Sequence, residues 1–132
     1  TIGMVRIASQ AMMEAATATD AVPNANTIFY SPYAMKIRLT ATNGGVPAAD
    51  ESVGVTSITD VGTGLPRINF TTGFSNALYT YLGAAERVGI FEFTTTGTGG
   101  GPQATAFPVA TIDDGNALTD KDFACAFFGD FA

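Results

Sequence analysis

The chain has 132 residues, of which 46% are hydrophobic and only 14% charged, with a net charge of −6 and a pI near 4.2. That length suits one domain, or one domain with an arm, and the acidic balance argues against binding nucleic-acid phosphates or docking on an anionic membrane. With no histidine and a single cysteine, the chain lacks the usual general base, every Ser-His or Cys-His pair, an internal disulfide and a multi-cysteine metal site.

Residues 1–34 differ in character from the remainder. Ala8 to Ala16 is rich in strong helix formers, and Ser9 can cap the start. Thr17, Thr19 and Asp20 weaken a helix there and Pro23 ends it. At two or three turns such a helix is marginal alone and needs packing. Residues 1–34 are therefore read as an N-terminal arm with a short helix, and residues 35–132 as a β domain.

From Met35 onward the period is two. Met35, Ile37 and Leu39 alternate with Lys36, Arg38 and Thr40, which predicts a half-buried strand. Asn43-Gly44-Gly45 signals a turn, and a loop through Pro47, Asp50 and Glu51 leads to a strand over Val53–Ile58. Asp60-Val61-Gly62-Thr63-Gly64 then reverses the chain into Arg67–Thr71, a hairpin in which Gly62 or Gly64 takes the positive φ of the tight turn. Strands follow at Leu78–Leu82, Val88–Thr94, Phe107–Ile112 and Phe123–Phe128, with Asp113–Asn116 as a turn. Short strands at this spacing predict a mainly β fold, an antiparallel β-sandwich with a short N-terminal helical arm. No apolar run approaches the roughly 20 residues of a membrane span.

Several groups of residues carry candidate chemistry. Asp113, Asp114, Asp120 and Asp122 lie close in sequence, but the calcium-loop pattern of alternating acids, glycine and a distal glutamate is missing and they read as solvated turns. Asp50, Glu51 and Asp60 could supply a pair of glycosidase carboxylates, though nothing marks any of them as perturbed. Gly97 to Gly101 has no following lysine and fails the phosphate-loop pattern. The chain is thus expected to be no enzyme, with no catalytic residue, metal or cofactor. Thr95, Thr96, Thr98 and Gln103 flank a glycine-rich loop suited to contacting a receptor. Cys125, within an apolar run, reads as a small buried hydrophobe. Tyr30, Tyr33, Tyr79 and Tyr81 could stack on sugars or pack in a core. Seven of the ten phenylalanines lie from Phe91 onward, and bulky residues occupy both faces of the late strands. Such strands are either buried against another subunit or fully buried inside one chain. On the first reading Met12, Phe91, Phe93, Phe127 and Phe128 are candidate interface residues.

The segment TSITDVGTGLPRINFTT (56–72) resembles a recurrent element near the C-terminal ends of bacteriophage tail-fibre and related virion-appendage proteins. ASQAMMEAATATDAVP (8–23) is similar to a second element of those proteins, although Met12 stands where an acid is usual and Ala16 where glycine is. Leu118 to Phe128 resembles a third. Together these cover under half the chain. The resemblance implies a virion protein, a tail fibre or fibre tip, that forms a homotrimer, contacts other virion proteins and binds a host surface glycan or protein through exposed loops. A purely structural virion subunit, such as a capsid decoration, cement or tail collar protein, is the alternative. A glycan-degrading enzyme is a more distant third. No nucleic-acid partner and no membrane insertion are expected.

Overall fold

The computed structural model describes residues 6–7, 9, 12, 21–22, 34–87, 89–93 and 101–132. Among these residues there are ten strands: β1 (Arg6–Ile7), β2 (Ala21–Val22), β3 (Met35–Asn43), β4 (Pro47–Val53), β5 (Val55–Asp60), β6 (Pro66–Phe70), β7 (Thr80–Ala85), β8 (Ile90–Phe93), β9 (Ala106–Ile112) and β10 (Phe123–Phe128). Eight of them form two four-stranded antiparallel sheets, with orders β4-β3-β10-β7 and β5-β6-β9-β8. The chain makes β3 and β4 in the first sheet, crosses for β5 and β6, returns for β7, crosses again for β8 and β9, and ends with β10 between β3 and β7.

Alternation decides which side chains enter the core. In β3, Ile37, Leu39 and Ala41 are buried while Arg38, Thr40 and Thr42 are exposed, the pattern expected of a strand wet on one face. In β10, Phe123, Cys125 and Phe127 are buried and Ala124 is exposed. Ile68 and Phe70 of β6 with Phe107 and Val109 of β9 meet them from the other sheet in one cluster. The aromatic rings join the layers. Phe107 lies 4.6 Å from Tyr81 and 5.0 Å from Phe127, and Phe70 lies 5.1 Å from Phe127, ring centre to ring centre. Ring pairs at such separations add roughly 0.5–1.5 kcal/mol each beyond the area they bury.

Strand β9 is buried along nearly its whole length. Pro108 is tolerated within it because β6 pairs only with Ala106–Pro108 and β8 only with Val109–Ile112, so the proline stands where one partner gives way to the next.

Three expectations change. The segment read as a loop through Pro47, Asp50 and Glu51 is strand β4, an edge strand that begins at its proline, where no ladder N–H is required. The run read as one strand over Val53–Ile58 is broken at Gly54 (φ +76°), where the chain leaves one sheet for the other. The strand expected at Leu78–Leu82 starts at Thr80 and runs to Ala85. In the arm, Arg6–Ile7 pairs in parallel with Ala21–Val22, and the Met12 N–H donates to Ser9 Oγ at 3.3 Å. The rest of the predicted helix lies outside the described residues.

Because Phe107 touches rings from both layers, Phe107→Ala is expected to lower unfolding free energy by about 3–5 kcal/mol. Equilibrium denaturation would measure this. A midpoint equal to that of the unaltered chain would show that the two sheets do not depend on this ring.

Candidate functional site

The acidic residues near the C-terminus are held by backbone donors. Asp113 Oδ1 accepts the N–H groups of Gly115 and Ala117, both at 2.9 Å, and its Oδ2 accepts the Thr119 hydroxyl at 3.2 Å. These bonds, the one from the Ala117 N–H foremost, keep the Asp113 carboxyl below its ordinary value by favouring the ionised form. Asp120 Oδ1 accepts the Gly64 N–H at 2.7 Å and Asn43 Nδ2 at 3.4 Å, while Asp122 Oδ1 accepts the Asn43 N–H at 2.8 Å. The loop before β10 is thereby tied to the β3 end and to the β5–β6 turn. Asn43 Oδ1 is buried and finds no hydrogen-bond donor among the described residues.

Gly64 sits at the crossing point. Its φ is +67°, and a Cβ there would fall 2.7 Å from both the Thr111 carbonyl oxygen and the Thr119 nitrogen. The Thr111 N–H donates to the Gly64 carbonyl at 2.9 Å, and the Thr111 hydroxyl donates to the Thr119 carbonyl at 2.7 Å. Glycine is needed at this one position both for its conformation and for the close approach of two backbones.

The other polar candidates face inward. The Tyr79 hydroxyl reaches the carbonyls of Gln103 and Ala106 at 3.1 and 3.2 Å, its ring stacks on Phe74 at 4.5 Å, and burial raises its pKa. Tyr81 packs on Phe107 and Phe91. Burial pushes the Cys125 thiol up to about 12, which keeps it protonated and a poor nucleophile. Lys36 is also buried, with its ammonium 5.6 Å from the centre of the Phe131 ring. Among the described residues, no group of three or more His, Cys, Asp or Glu is placed to hold a metal ion. None of the described helices is long and apolar enough to cross a membrane.

The candidate interface residues are dispersed. Phe127 is fully buried in the core, and Phe91 packs inward on Phe107, Phe123 and Tyr81. Phe128 and Met12 are half-buried. The side chain of Phe93 and the loop residues Thr95, Thr96 and Thr98 lie outside the described residues. Gln103 Oε1 accepts Arg67 Nη2 at 2.7 Å, and its backbone pairs with Ala106, so it is bound to the rigid sheet at the end of that loop.

A surface not singled out from the sequence lies on the outward side of the β4-β3-β10-β7 sheet. Ala124 and Ala126 of β10 form its floor, between Arg38 and Thr40 of β3 and Leu82 and Ala84 of β7. The trough along this floor measures about 440 Å³. Leu82 is 63% exposed, Val53 50% and Met35 44%. The one ion pair described on this face joins Arg38 Nη2 to Glu51 Oε1. The signal was present in the run FACAFF, where alanines alternate with the larger inward residues. Comparison with protein-family models, with curated proteins and with solved structures finds no match.

Gly64→Ala is expected to destabilise the fold by at least about 2 kcal/mol, combining a left-handed backbone with contact against main-chain atoms that cannot rotate away. A chemical denaturation midpoint unchanged from glycine would refute the close crossing. The Asp113 bonds carry a pH signature. A carboxyl whose folded pKa is depressed contributes stability that is present above its unfolded value, here 3.8, and lost as pH falls through the folded value. Acid titration of the denaturation midpoint should therefore fall less steeply below that pH in Asp113→Asn than in the unaltered chain; identical slopes would show that this turn is not coupled to folding.

Proposed function

We propose that this chain is a structural and binding subunit of a bacteriophage particle, a tail fibre or fibre tip that attaches to host surface structures as a homotrimer. The observation that carries the reading is the use made of the reactive groups. The described tyrosines, the thiol and the Asp113, Asp120 and Asp122 carboxylates are engaged in packing or in hydrogen bonds that fix the loops around β10. A scaffold of this kind offers rigidity to whatever its faces and loops bind, rather than an assembled reaction centre. The motifs at 8–23, 56–72 and 118–128 point in the same direction.

Within that reading, residues 1–34 form an arm with a short helix that attaches the subunit or clasps the trimer. The Met12 N–H donates to Ser9 Oγ, the kind of bond an N-cap serine makes. The loop carrying Thr95, Thr96 and Thr98, ending at Gln103, is the proposed receptor contact. A subunit of the capsid surface or tail collar is the second reading, favoured by the flat, weakly charged outward face of the first sheet.

Antibodies against the purified chain, applied to phage particles whose genome encodes it, test the proposal by electron microscopy. Label at the tail extremity, together with binding of the protein to isolated host envelopes, is expected. Label on the capsid or collar without envelope binding would replace it with the second reading, and particles without label would overturn both.

A further inference from the structure

The geometry points to the outward face of the β4-β3-β10-β7 sheet as the surface on which copies of this chain meet. We infer that the occupant is a second copy, for reasons of charge, shape and area, and the inference stands whether or not the particle proves to be a phage.

Charge comes first. The chain carries a net −6, so two copies approaching through an average piece of surface repel one another. On this face Arg38 and Glu51 neutralise each other, and the residues between and beside them are alanine, threonine, leucine and valine. The acidic groups Asp50, Glu86 and Asp122 stand at one end of the trough, where solvent and salt screen them. A like-charged copy therefore meets no net repulsion over the floor itself. A basic partner is drawn to the acidic end rather than to the floor, and an acidic glycan meets on the floor only Arg38, already paired with Glu51.

Shape is the second reason. Large apolar side chains stand towards the margins, Leu82 on β7 and Val53 on β4, while the floor over β10 is the methyl groups of Ala124 and Ala126. Among the described residues of one copy, the margin residues fill no recess. Between two copies, the Leu82 of one enters the alanine trough of the other, and the small floor lets the backbones come close. The same face supplies both the projection and the recess.

Area is the third. Four strands at about 4.8 Å spacing and about seven residues at about 3.3 Å give a face of roughly 19 by 23 Å. Two such faces together with their side-chain relief bury on the order of 1,000 Å², which reaches the lower bound of a specific interface. An exposed leucine, valine and methionine on one flat sheet face are otherwise a liability to aggregation.

Sedimentation equilibrium of the full chain tests this with Ala124→Asp and Leu82→Asp, both outward residues absent from the core cluster. The unaltered chain is expected to sediment as an oligomer at micromolar concentration. Each variant should shift towards the mass of one chain, with its β circular-dichroism spectrum retained. Thr59→Asp, on the outward face of the other sheet opposite Arg67, should leave the oligomer intact. If Ala124→Asp fails to fold, Thr40→Asp on the same trough supplies the reading. A monomeric unaltered chain, or an oligomer that survives both substitutions, would overturn the inference, the first outcome by showing that the face is left to another protein or to the chain's own arm. A dimer dissolved by the substitutions would keep this interface and remove the threefold assembly from the proposed function.

Discussion

Everything in this fold hangs on the seam where Phe107 of one sheet meets Phe127 and Tyr81 of the other. The chain crosses between its sheets four times, and each crossing is held only if the layers stay in contact. The seam supplies that contact through rings a few ångströms apart, which lose a great deal if the layers slide. Phe127 is carried by the last strand, which inserts between β3 and β7. Strand β10 therefore completes both the first sheet and the core.

That dependence explains why so many chemically capable groups are engaged in holding the structure. The loop leading into β10 must be positioned, and Asp113, Asp120 and Asp122 position it by accepting backbone N–H groups and the amide of Asn43. Gly64 lets the β5–β6 turn come against that loop. Cys125 and Tyr79 belong to the inner layer itself. Inner faces absorb the aromatic residues, so what is left outside is a surface of alanine and threonine with few charges. On the function we propose, a chain organised in this way acts by presenting surfaces.

Much of the framework was legible in the sequence. The period-two runs at Ile37–Thr42 and Phe123–Phe128 and the glycine turn before Arg67 need only local patterning, and the hairpin at 55–70 lies where that pattern put it; at the start of β3 the alternation fails, with Lys36 buried and Met35 exposed. Less legible was anything set by sheet order. Pro47, Asp50 and Glu51 look like a loop until β3 is there to pair with them at an edge. Phe91 and Phe127 looked like residues of a subunit contact because their strands seemed apolar on both faces. A single chain absorbs them by turning the large residues inward: Phe127 and Phe91 pack in the core, while the outward positions of β10 carry the small Ala124 and Ala126. Asp120 and Asp122, read from the sequence as solvated turns, instead accept bonds from Gly64 and Asn43, and a tie to Asn43 more than seventy positions away has no local signature. The alanines of β10 were passed over because small residues attract no attention without a third dimension.

The central claim is that the first sheet turns its small, neutral face towards other copies of the chain while the aromatic seam holds each copy together from within. The most direct test is a high-resolution structure of the assembled protein. The account predicts that Ala124, Ala126 and Leu82 are buried between chains, with Phe107 and Phe127 in contact inside each one. A structure in which that alanine face lies open to solvent, or in which Phe127 reaches into a neighbouring chain, would contradict it.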